Sequence, residues 1–236
     1  MVAAHRVHER VYQDMRMALI CGQLTPEEPI SLRSLAEMLG VSPMPIRAAV
    51  SRLVAEGALL LNKHRIAIPP MTEVRIRDLV GLRTYIETSL ARRIAENRTT
   101  ETLLAAREAD KRVETSIASG DVEGYILANY AFHHCLHLAA APSPLIPIMS
   151  AIWMQLGPFA RSVYGRLGTA QLGDKHHDAL HALESRDALA LAQALRADAE
   201  DGGALLLSSQ VETVRGDRLT GKARMKSKTL LTAEKA

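Results

Sequence analysis

Cysteine is scarce in this chain of 236 residues, with only Cys21 and Cys135, far apart. Two isolated thiols build neither a disulfide framework nor a zinc ribbon. Aromatic residues make up only 3% while hydrophobic residues reach 47%. A core made mainly of Leu and Ala favours helix over sheet. No apolar run approaches the length of a membrane span, and the first segment is charged and amphipathic rather than a secretory signal, so a cytoplasmic protein without membrane contact is expected. The net charge is only +3, so its distribution matters more than its size. Residues 1–70 carry 8 basic and 6 acidic side chains, residues 71–211 carry 14 and 17, and residues 212–236 carry 7 and 3. A mildly basic front, an acidic middle and a basic tail suit a nucleic-acid-binding head on a body that does not bind nucleic acid.

What is present is helical periodicity. From Arg6 to Ile20, Val7, Val11, Met15 and Ala18 recur on one face. A loop with Pro26 and Pro29 follows, and Ser31 is placed to cap the next helix, which reaches Leu39. Residues 32–56, LRSLAEMLGVSPMPIRAAVSRLVAE, read as two short helices around a Gly-Val-Ser turn. Ala36 permits close approach, Gly40 suits a left-handed turn and Ile46 starts the core face of the second helix. Pro43 and Pro45 fall in that helix's first turn, where backbone N–H groups have no helical partner. Two β-prone runs, Leu59–Leu61 and Ile66–Ile68, flank the basic tip Asn62-Lys63-His64-Arg65, which predicts a hairpin. Three helices and a basic hairpin make a winged helix-turn-helix.

Pro69-Pro70 predicts the domain boundary. Helices are then expected at 72–97, 100–119, 121–140, 144–166, 174–185 and 187–207, with a kink at Pro158. The fold class is mainly α: a winged helix-turn-helix over 1–70, an all-helical antiparallel bundle over 71–211, and a disordered basic tail over 212–236.

Within the bundle, Ile126, Asn129, His133, Leu136 and Ala140 share one face. His176 shares a face with Ala179, Leu180 and Leu183, and Asp198 follows Leu191, Ala194 and Leu195. Polar groups on inward faces need partners. Either a divalent metal supplies them or they bond one another in a metal-free pocket. His134, His137, His177 and His181 fall at least partly off the apolar faces, with His177 and His181 expected at the surface.

The chain resembles the GntR family of bacterial transcription regulators, in the subgroup with a helical FCD ligand-binding domain. Three motifs carry the resemblance: LAEMLGVSPMPIRAAVSRLVAEGAL, LRTYIETSLARRIA, and the pair NYAFHHCLHLAAAPSPL and KHHDALHALESRDALALAQALRADAE. The resemblance implies DNA contact from Arg33, Ser42, Pro43, Met44, Arg47, Lys63, His64 and Arg65. The family usually places Arg-Thr where Pro43-Met44 stand, which implies altered operator recognition. It further implies a metal site of zinc, nickel or manganese at Asn129, His133, His176 and Asp198. Here Asn129 and Asp198 replace the usual aspartate and histidine, leaving two imidazoles and one carboxylate. The implied effector is a small organic-acid or sugar-acid carboxylate held by Arg83 or Arg161, unless these form structural ion pairs, Arg83 with Glu87 for example. A homodimer reading a pseudo-palindromic duplex operator follows. The rival readings are a constitutive regulator with a decayed effector site and a metal-dependent enzyme, which leaves the winged head unexplained.

Overall fold

The computed structural model describes residues 2–24, 29–63, 65–169 and 175–216. In the head, α1 (Val2–Ile20) packs against α3 (Pro43–Ala55), which also meets α2 (Leu32–Met38), and β1 (Ile30–Ser31), β2 (Leu60–Asn62) and β3 (Arg65–Ala67) form a small sheet. Val11, Met15 and Leu19 of α1 are buried with Leu35, Ala36, Ile46, Val50 and Leu53. Ser31 Oγ accepts from the Ser34 N–H at 2.9 Å and so caps α2. Gly40 holds φ +62 at the turn, a conformation that costs a Cβ-bearing residue strain.

The expected hairpin gains a strand. β3 pairs antiparallel with β2 (Leu61 opposite Ile66) and with β1 (Ile30 opposite Ile66). β1 has two residues in a segment predicted as loop, too short to show an alternating pattern.

The body begins where Thr72 Oγ1 accepts from the Arg75 N–H. It comprises α4 (Glu73–Asn97), α5 (Thr100–Ser119), α6 (Val122–Ala139), α7 (Leu145–Leu167), α8 (His176–Ser185) and α9 (Ala188–Gly216). α4 packs along α9 and α5 along α6, with α7 and α8 closing the bundle. α7 runs through Pro158 to Leu167. α9 passes Leu207 and the expected end of the body at 211, reaching Gly216. Its extension carries no apolar repeat from which the sequence shows a helix. The rest of the tail, 217–236, lies outside the described residues, as do His64 and Asp174.

Candidate functional site

Two regions concentrate polar chemistry. The first is the outer face of the head. Arg33, Ser42, Pro43, Met44, Arg47, Lys63 and Arg65 are all exposed. Arg33 makes an i, i+4 ion pair with Glu37, Nε to Oε1 2.9 Å, weak enough at the surface to be exchanged for another anion. Ser42 stands at the N-cap of α3 without a side-chain cap bond, which leaves its hydroxyl for an outside partner.

The second region is buried where four body helices converge. Arg83 and Glu87 come from α4, Asn129, His133 and His137 from α6, His176 from α8 and Asp198 from α9. Glu87 and His133 are 0% exposed and Arg83 7%. Arg83 Nη2 donates to Asp198 Oδ2 at 2.6 Å, and its Nε to Glu87 Oε2 at 3.3 Å. The guanidinium lies 4.7 Å from the Trp153 ring centroid, on α7. His133 Nδ1 is 3.0 Å from Glu87 Oε1, and its Nε2 is 3.1 Å from Asp198 Oδ2 and 3.0 Å from Arg83 Nη2. A neutral ring with its proton on Nδ1 accepts from Arg83. A protonated ring donates to Asp198 instead. His137 Nε2 donates to Glu87 Oε1 at 3.1 Å.

Burial opposes charge on Glu87, but Arg83 and His133 outweigh it and hold the carboxyl well below its usual range. Asp198 is lowered in the same way, burial being overcome by His133 and Arg83. For His133 burial is outweighed by Glu87 and Asp198, so its pKa rises. For His137 burial prevails and the pKa falls. The cluster therefore balances two buried carboxylates with Arg83 and a proton-hungry His133.

One ring nitrogen each of His133 and His176 and a carboxylate oxygen of Asp198 all lie within 4.8 Å of one another, with His133 Nε2 3.1 Å and His176 Nε2 3.9 Å from the Asp198 carboxylate. His176 Nδ1 is 3.2 Å from Asp110 Oδ1 of α5. Both histidines thus direct Nδ1 at a carboxylate and turn Nε2 toward Asp198. Metal-ligating histidines are held in this way by their outer partners. Asn129 Oδ1 is buried and hydrogen-bonds to no described residue, a neutral oxygen in want of a partner. The donor set fits a divalent ion, although Arg83 already places a cation on two of its atoms.

Residues 78–201, just over half of the chain, match the profile of the FCD domain, and residues 7–65 match that of the bacterial regulatory proteins of the gntR family. The chain belongs to the GntR family. This GntR-family transcription regulator is 25% identical over 182 residues to the HTH-type transcriptional regulator McbR of Escherichia coli K12, covering 75% of this chain and 82% of McbR. It is 24% identical over 178 residues to the gluconate operon transcriptional repressor of Bacillus licheniformis, covering 75% and 72% of the two chains. Among solved structures its fold is similar to E. coli McbR/YncC, with TM-score 0.75, 22% identity, and 90% and 98% of the two chains covered.

The regulator's head and body meet along α1, α6 and α7. Arg161, expected at the effector, is placed here: its Nη1 pairs with Glu123 Oε2 at 2.9 Å and its side chain abuts Gly22. That is the structural ion pair weighed as its alternative. Arg16 Nη2 donates to Tyr130 Oη at 2.6 Å and to Ser150 Oγ at 3.1 Å. Tyr130 meets Trp153 edge-on, centroids 5.6 Å apart. Two residues along α7, Gln155 Nε2 donates to the Glu56 carbonyl at 3.2 Å, at the C-terminal end of α3. Gly157 faces the Leu19 and Ile20 carbonyls of α1 so closely that a Cβ would sit 2.3 Å from each.

His177 and His181 are exposed as expected, but His137 is 3% exposed and inside the cluster. Its spacing of four from His133 was the signal that could have placed it there. Asp110, Trp153 and the junction residues carried no comparable signal.

Proposed function

We propose that this chain is an effector-responsive repressor, not an enzyme, with a DNA-reading head over 1–70 and a sensing body over 71–211. It would act in the cytoplasm, where the chromosome is. The observation that carries the reading is the short path from the buried cluster to the recognition helix. Trp153 lies against the Arg83 guanidinium, and Gln155 on the same helix holds the end of α3. A ligand that draws Arg83 away from Asp198 disturbs Trp153, and α7 carries the displacement to α3.

In this reading His133, His176 and Asp198 hold a zinc, nickel or manganese ion, with Asn129 as a fourth, neutral oxygen. When bound, the ion supplies a Lewis-acidic position for the carboxylate of a small organic-acid or sugar-acid effector. Arg83 then pairs with that carboxylate. Arg33, Ser42, Pro43, Met44, Arg47, Lys63, His64 and Arg65 face one half of a pseudo-palindromic operator. A second copy reads the other half. The exposed apolar side chains Val74, Leu82 and Tyr85 of α4 offer a surface for that copy.

A second reading is favoured by one contact. Arg83 Nη2 already lies 2.6 Å from Asp198 Oδ2 and 3.0 Å from His133 Nε2. If it replaces the metal permanently, the protein is a constitutive regulator. The test of the DNA reading is selection of a duplex site from a random pool, followed by Arg47→Ala. The exposed arginine should be lost without change in melting temperature, and specific binding should disappear. Unchanged operator affinity would refute the assignment, as would binding that does not weaken when salt rises.

A further inference from the structure

The outward face of α3 has an unusual make-up. Pro45, Ile46, Ala49, Val50 and Leu53 are buried against the head's core. The opposite stripe is Met44, Arg47, Ala48 and Ser51, all exposed. These positions fall at i, i+3, i+4 and i+7 and therefore share one face. Only Met44 and Arg47 have long side chains. Ala48 and Ser51 are short, which lets the helix lie close to whatever it faces.

The start of the helix is also poor in hydrogen-bond donors. Pro43 and Pro45 occupy two of its first three positions, and proline has no N–H. The N-terminus offers little to a phosphate, so anchoring falls to Arg33, Lys63 and Arg65. Met44 is 71% exposed, at the tip of the helix beside Arg47.

Among the base edges of a major groove, the C5-methyl of thymine is the largest apolar group, set among hydrogen-bond donors and acceptors. An arginine finds its best partner in guanine O6 and N7. A methionine thioether is at most a weak acceptor, and that methyl is the best apolar partner for its long chain. Resting on the DNA-reading assignment above, we propose that Met44 is a specificity-determining residue that reads a thymine methyl close to the guanine read by Arg47.

The test uses the full-length protein and the duplex site recovered by selection. Each thymine in a half-site is replaced in turn by deoxyuridine, which removes the methyl and preserves base pairing. Wild-type protein should lose about fourfold in affinity at one thymine, and roughly fifteenfold when both half-sites are changed, the value expected for one buried methyl group per site. Met44→Ala should bind thymine and uracil equally there while still discriminating at the guanine. Its melting temperature should not move, because the side chain is exposed. A wild-type protein indifferent to every uracil overturns the proposal, as does a Met44→Ala protein that discriminates as well as wild type. Failure to recover any preferred site overturns the DNA-reading assignment itself, a different result from a site that lacks methyl dependence.

Discussion

Arg83→Met should be the most revealing change in the body. Methionine keeps an apolar stem of similar reach and removes the charge. Arg83 is bound to two carboxylates, Glu87 and Asp198, and lies in a site where Glu87 and His133 are 0% exposed. Replacing a whole buried ion network by apolar groups is often neutral, but removing one member leaves the others uncompensated and costs about 3–5 kcal/mol. Here the remaining counter-charge to two carboxylates is His133. For a chain of this size that loss lowers the melting temperature on the order of 10 °C. A divalent ion held by His133, His176 and Asp198 restores positive charge. At a hundred times its dissociation constant it adds about 2.7 kcal/mol. The experiment is a thermal melt of wild type and variant, with chelator and with zinc, nickel or manganese. The variant should melt far lower in chelator and recover much of the difference in metal. Wild type should gain less, since Arg83 must first leave two of the donor atoms. A variant that melts within about 2 °C of wild type in chelator would refute the claim that Arg83 balances the buried carboxylates. Equal metal stabilisation of both proteins would refute the claim that arginine and metal compete for one place.

Three further outcomes follow from the junction and the head. Gly157→Ala should cost about 1–3 kcal/mol, because the new Cβ would lie 2.3 Å from two α1 carbonyls that belong to backbone; it should show as faster proteolysis near Met71. Tyr130→Phe removes the 2.6 Å bond from Arg16 but keeps the ring against Trp153, so whatever change in operator affinity a metal or carboxylate produces in wild type should shrink while stability falls by roughly 1.5–3 kcal/mol at most. A coupling that survives intact in Tyr130→Phe would exclude this contact from the path. Burial and the Glu56 carboxylate push Tyr12 up to about 12, above its ordinary value of about 10. The stabilisation it provides is complete below pH 10 and is lost as pH rises from there through 12; Tyr12→Phe should flatten the fall of stability in that window, as read by denaturant melts.

Much of this was legible in the sequence because it is local. Ala36, Gly40 and Ile46 announce the turn between α2 and α3. The cap at Ser31 marks the start of α2, and the apolar stripe through Ile126 and Leu136 carries Asn129 and His133 inward. What escaped is tertiary. Asp110 holds His176 only because α5 meets α8, and Trp153 lies against Arg83 only because α7 meets α4. Neither relation leaves a trace in spacing. Glu87, four residues after Arg83, was visible as an ion-pair partner, yet its role as acceptor for two histidines depends on where α6 lies. Arg161 shows the converse: an arginine near a proline in a body helix looks like a ligand contact until Glu123 of the neighbouring helix is in place.

The close seat of Gly157 on the end of α1 also bears on how such regulators can be recombined. Pro69-Pro70 looks like the natural point at which to cut the chain and graft its head onto another body. Yet the first helix of the head rests on α7, the fourth helix of the body, with no side chain between them at that point. A graft made at the prolines would separate surfaces shaped for each other. The unit that can be exchanged is the head together with the face of α7 from Trp153 to Arg161, so altered operator preference and altered sensing would have to be inherited along with the same junction.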